Sequence, residues 1–167
     1  IGYVYTELGE YNEALNYTKT AMDIIQAVYS ENHPDVAVCY NSLGSIYEYI
    51  GDYTSAMEAY MKSLSIAKQT LGDSHPDVAL CYNNIGYLYS VNEDKEAALE
   101  YYRIAVDLWE DIYGSKHPTL AVGLYNIGRI YEALNDYNSS FEYLNKALNI
   151  YLSVFGKNHR STSRCYD

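Results

Sequence analysis

The sequence predicts an all-α chain, a right-handed superhelical solenoid of stacked antiparallel helix pairs. Three observations predict it. The four histidines, His33, His75, His117 and His159, stand 42 residues apart. The three prolines, Pro34, Pro76 and Pro118, each follow a histidine. Glycines keep the same step in two sets, Gly2, Gly44, Gly86 and Gly128, then Gly72, Gly114 and Gly156, and so do Tyr5, Tyr47, Tyr89 and Tyr131. A fixed period of roughly 20–50 residues marks a stacked repeat architecture. Four periods fill most of the chain, giving one array over 1–167: repeats at 1–35, 36–77, 78–119 and 120–161, and the start of a fifth at 162–167.

Each repeat reads as a helix, a sharp break, a longer helix and a linker. In the second repeat Val36, Cys39, Tyr40, Leu43, Ile46, Tyr47 and Ile50 recur at helical spacing. Gly51-Asp52 interrupts that run. Tyr53, Ala56, Tyr60, Leu64, Ala67 and Leu71 then form a second stripe. Gly72 suits a helix end, where a left-handed residue closes the last turn. Pro76 suits the first turn of the next helix, since its missing N–H would have no partner there. The histidine before it is held in extended backbone, so the preceding helix has already stopped. Asp35 and Asp77 place negative charge in first turns, where the helix dipole favours it. The unit is a hairpin of about 14 and about 18 residues, long for globular proteins. Its apolar face is buried only when neighbours stack.

Composition narrows the function. The chain is 49% apolar and 20% charged, which argues against disorder. No apolar run approaches the roughly 18–20 residues of a membrane-spanning helix, and no signal peptide is read at the start. A cytoplasmic protein with no membrane partner is expected. With 22 acidic and 11 basic side chains the net charge is −11, which disfavours nucleic acid and anionic lipid. Three cysteines make no disulfide framework and suggest a reducing compartment. Cys39 and Cys81, one period apart, exceed the Cα separation of about 7 Å that a disulfide allows, and are expected as buried thiols.

No Walker A, GxSxG, HExxH or CxxC segment occurs, so neither catalysis nor a cofactor is expected. The histidines cannot share a metal. Equivalent positions in adjacent repeats lie roughly 10–20 Å apart, whereas zinc ligands stand about 2 Å from one ion. They are expected to hydrogen-bond and pack at helix starts instead.

Tyr40, Leu43, Gly44, Tyr47, Gly51, Tyr53, Ala56 and Tyr60 resemble the tetratricopeptide repeat pattern in order and spacing. Gly2, Tyr5, Gly9, Tyr11, Ala14 and Ala21 carry it in the first repeat; Tyr82, Ile85, Gly86, Tyr89, Ala98, Tyr102 and Ala105 carry it in the third. The fourth departs at Leu124, Ser140 and Leu144. The 42-residue period and the segment GDSHPDVALCYNNIG are similar to the kinesin light chain subclass, whose glycine positions usually hold alanine.

The resemblance implies a concave groove walled by one face of each first helix. Tyr5, Tyr47, Tyr89 and Tyr131 fall at the family's packing position between the two helices and are expected in the core. Tyr3, Tyr49, Tyr87 and Tyr125 fall on the groove face. So do Thr6, Asn41, Ser42, Ser45, Glu48, Asn83, Asn84 and Ser90, and Asn126, Arg129 and Glu132 in the fourth repeat. Asn84 and Asn126 occupy the position of the family's backbone clamp, and Ser42 replaces it in the second repeat. An amide both donates and accepts, so it suits an extended peptide backbone.

Residues 1–35 carry a net charge of −5, 36–77 of −3, 78–119 of −4 and 120–161 of +1. Glu7, Glu48 and Glu132 against Arg129 point to a neutral or basic peptide rather than the acidic cargo of kinesin light chains. The expected function is a non-catalytic protein-interaction scaffold that binds a peptide in that groove. One alternative is a structural spacer that self-associates end to end. The other is a regulatory domain of a larger signalling protein or enzyme. Ile1-Gly2 reads as mid-helix and the last residues as a repeat just begun, so a fragment of a longer array with uncapped ends is expected.

Overall fold

The computed structural model describes residues 1–166, and among them every regular element is a helix. In chain order these are α1 (Gly2–Glu7), α2 (Tyr11–Val28), α3 (Pro34–Ile50), α4 (Tyr53–Leu71), α5 (Pro76–Val91), α6 (Lys95–Tyr113), α7 (Pro118–Ala133), α8 (Tyr137–Phe155) and α9 (Arg160–Ser163). Two compact units divide the chain, one from Ile1 to Cys81 and the other from Tyr82 onward. In the first, α1 packs on α2, α2 on α3 and α3 on α4. In the second, α6 packs on α7, α7 on α8 and α8 on α9. The all-α helix-pair architecture is the one the period predicts.

The histidines start helices, as expected. The Nδ1 atoms of His33, His75, His117 and His159 each accept the N–H two residues on, at 3.2 Å. Three of these rings also stack on the aromatic residue closing the preceding helix: Tyr29 on His33, Tyr113 on His117 and Phe155 on His159. Second helices start differently. Asp52, Asp94 and Asp136 accept the N–H of Ser55, Ala97 and Ser139, at 3.0 to 3.2 Å. Gly72, Gly114 and Gly156 close α4, α6 and α8 with φ of 87°, 79° and 76°, beyond what a side chain tolerates comfortably.

The core lies between paired helices. Val36, Leu43 and Ile46 of α3 and Ala56, Tyr60 and Ala67 of α4 are buried in the first unit. Leu120, Ile127 and Ile130 of α7 and Ala147, Ile150 and Tyr151 of α8 are buried in the second. One expectation is corrected. Tyr5, Tyr47, Tyr89 and Tyr131 are only half-buried. Three of them stack on a tyrosine twelve residues later, Tyr5 on Tyr17, Tyr89 on Tyr101 and Tyr131 on Tyr143, with centroids 5.2 to 5.6 Å apart. Stacked rings with polar hydroxyls sit well at the edge of the pair, where the hydroxyl stays wet. The tyrosines inside the core are Tyr60, Tyr102 and Tyr151 of the second helices.

Candidate functional site

On α3, Asn41, Ser42, Ser45 and Tyr49 share one helix face, because one turn separates 41 and 42 from 45 and another separates 45 from 49. With Tyr3, Thr6 and Glu7 of α1 they line a cavity of about 600 Å³, backed by Tyr17, Ala21 and Ile24 of α2. Tyr3 is 75% exposed. Tyr49 is 56% exposed, and its ring lies parallel to that of Tyr11, 6.0 Å away. The Ser42 hydroxyl donates to the Val38 carbonyl at 3.0 Å, which uses its proton within the helix.

Glu48 stands apart from these residues. Its Oε2 accepts from the Tyr60 hydroxyl at 2.9 Å, which ties α3 to α4. Burial pushes the Glu48 carboxyl above its ordinary range, and the Tyr60 hydrogen bond partly opposes that. Its charge therefore serves the helix pair first.

In the second unit, Tyr87 and Ser90 of α5 with Asn126 and Arg129 of α7 line a cavity of about 290 Å³. Asn126 Nδ2 donates to Asn83 Oδ1 at 3.1 Å, and Asn83 Nδ2 lies 3.5 Å from Asn84 Oδ1. Asn83 is buried. Three amides thus form one chain, which Asn126 joins through Asn83. Arg129 pairs with Glu132 at 2.7 Å, so their charges largely cancel. Tyr125 lies under the Arg164 guanidinium, 4.9 Å from the ring centroid, and does not line this cavity.

Sequence reasoning identified the residue types on these faces and missed three contacts. Glu48 with Tyr60, Asn83 with Asn126 and Tyr125 with Arg164 join positions whose separations of 12, 43 and 39 are not read from helical periodicity. Cys39 and Cys81 are buried free thiols, and Cys165 is partly exposed. The described residues hold no group of three or more His, Cys, Asp or Glu side chains placed to bind a metal ion.

A family profile described as Tetratricopeptide repeat matches residues 1–69, 51–105 and 92–153. No curated protein matches. Among solved structures, BtubC (BKLC) from P. vanneervenii is similar at a TM-score of 0.87 and 20% identity, over 99% of this chain and 66% of that one. The chain thus spans just under two thirds of that relative. A Podosopora anserina putative kinesin light chain with nearly identical TPR-like repeats gives 0.78 and 20%, over 98% and 78% of the two chains. Aspartyl phosphate phosphatase F from Bacillus subtilis gives 0.86 and 17%, over 99% of this chain and 41% of that one. At these identities the likeness is one of fold.

Proposed function

This chain belongs to the tetratricopeptide repeat family, and we propose that it is a non-catalytic scaffold holding a peptide segment of another protein against its first helices. The observation that carries the proposal is the cavity beside α1 and α3, where exposed Tyr3 and Tyr49 flank Asn41 and Ser45. Rings supply apolar contact area at small entropic cost, and the amide can pair with both groups of an extended backbone. On the second unit, Tyr87 beside Asn126 offers the same combination on a smaller scale.

The partner is a neutral or mildly basic segment. Glu48 is engaged by Tyr60 and Glu132 by Arg129, so Glu7 is the carboxylate that lines the larger cavity. The proposal takes the compartment to be the cytoplasm, where buried free thiols stay reduced. No helix among the described residues is long and apolar enough to cross a membrane.

Peptides enriched from a random display library on the immobilised chain test the reading. Tyr3→Ala and Asn41→Ala together should weaken an enriched peptide by about one to two powers of ten. Unchanged affinity, with an unchanged circular dichroism spectrum, would move the site off this face.

A further inference from the structure

The fourth repeat's departure at Leu124 has a structural consequence away from the first-helix face. Two repeats earlier, Tyr40 occupies the equivalent position, and the cavity beside it measures about 220 Å³. Its ring lies under Lys62, with Nζ 5.4 Å from the centroid. Beside Leu124 the corresponding cavity, lined by α6, α7 and α8, measures about 570 Å³. The linings correspond along the chain: Gln26 with Glu110, Asn32 with Lys116, Lys62 with Lys146 and Ile66 with Ile150. One wall loses a phenol ring at Leu124, Tyr143 brings one where the second repeat has Ala59, and the space is the larger of the two.

We propose that this cavity is a second binding site, which takes an aromatic side chain of a partner protein together with a basic residue next to it. Leu120, Leu124 and Ile150 supply an apolar floor of the kind a buried ring needs, and the volume lies in the range of ligand pockets. Lys146 is the periodic equivalent of Lys62, which covers Tyr40, so a guest ring would compete with Tyr143 for its ammonium group. At present Lys146 donates to Glu142 at 2.6 Å and lies over the Tyr143 ring, which holds it at the rim. The charged lining is Asp107 and Glu110 on α6, Lys116 in the linker and Lys146 on α8. Glu110 acts on the Lys146 ammonium, which leaves Asp107 as the carboxylate that favours a basic neighbour.

Such a site is independent of the peptide face proposed above, and Leu124→Tyr separates the two. That variant restores the residue found at this position in the second and third repeats, so the fold has a precedent for it. The probes are the blocked dipeptides N-acetyl-Tyr-Arg-amide and N-acetyl-Ala-Arg-amide, titrated into the 15N-labelled chain. The tyrosine probe should shift the amides of Leu124 and Ile150, and Leu124→Tyr should weaken it about tenfold or more by occupying the slot. The alanine probe should leave those amides unmoved. Asp107→Lys with Glu110→Lys should weaken the tyrosine probe about threefold or more at low salt and less at high salt. Should Leu124→Tyr fail to fold, the charge reversal decides the matter. Equal affinity of the tyrosine probe for the parent and the folded variants, or equal shifts from the two probes, would overturn the proposal.

Discussion

Gly44 faces the ring of Tyr60 so closely that a methyl group on it would stand 2.6 Å from Cδ1 and Cε1. The pairing recurs sixteen residues apart, Gly2 with Thr18, Gly86 with Tyr102 and Gly128 with Leu144, and it sets how near the helices of a pair approach. Tyr60 is 1% exposed and cannot swing aside. Gly44→Ala should therefore cost about 1–3 kcal/mol by overpacking. At Gly86 the methyl would meet Tyr102 at 3.0 Å, a milder clash. Alanine also favours a helix interior over glycine by about 1 kcal/mol, which offsets part of the cost. Denaturation midpoints should fall further for Gly44→Ala than for Gly86→Ala. The reverse order would contradict the contact.

Tyr60 also donates to Glu48, and the burial of that carboxyl gives the fold a pH dependence that the contact partly opposes. Burial raises the Glu48 carboxyl above its ordinary value near 4.5. Between that value and the raised one, the folded chain keeps a proton that the unfolded chain has lost. Stability therefore falls as pH rises through this window, and the loss persists above it. Glu48→Gln should flatten that part of the profile and retain an acceptor for the hydroxyl. Tyr60→Phe should cost about 1.5–3 kcal/mol, the value of a hydrogen bond to a charged group, and push the carboxyl higher still. Denaturation at pH 5, 6, 7 and 8 with NMR titration of the Glu48 carboxyl carbon measures both. A Glu48→Gln profile parallel to the parent's would show that this carboxyl does not set the slope.

The repeat period was legible because backbone demands repeat with it. The left-handed turn inside each pair falls at Gly9, Gly51, Glu93 and Asn135, and holds its place although the residue changes. Asp52, Asp94 and Asp136 kept the same step, and a reading of caps at that interval would have found them. Partners across helices were not legible. A groove carboxylate and one bonded to Tyr60 look alike in a linear pattern, and which of Asn83 and Asn84 meets Asn126 depends on helix rotation. The half-buried place of Tyr89 follows from its stacking on Tyr101, a choice between two wet edges that hydrophobicity alone does not make.

The three thiols should react in a fixed order. Burial pushes the Cys81 thiol up to about 11, where Ser63 lies 3.2 Å from its sulfur. Burial likewise raises Cys39, with Asp35 adding to it. Cys165 is also raised by burial, opposed by Arg164, and it is the partly exposed one. The thiolate is the reactive form, so iodoacetamide at pH 8 should modify Cys165 first. Cys39 and Cys81 should follow only as the chain unfolds, and denaturant should equalise all three. Peptide mass mapping over time reads the order, and early labelling of Cys81 would contradict its burial.

Asn126 and Asn83 should be energetically coupled. Asn126→Ala leaves the buried Asn83 carbonyl oxygen without its donor, at a cost of about 1–3 kcal/mol. Asn83→Ala removes the acceptor and leaves only a half-buried amide, which water can reach, so it should cost less. If the bond carries the loss, the double variant should be more stable than the sum of the singles implies. A coupling of about 0.5–3 kcal/mol is then expected from the double-mutant cycle. Additive losses would mean that the two amides merely lie near each other. The coupling also bears on recognition, since a peptide that bonds to Asn126 must compete with Asn83 for the same amide protons. A peptide held there should bind Asn83→Ala more tightly than the parent, whereas one held against Tyr3 and Asn41 should not distinguish them.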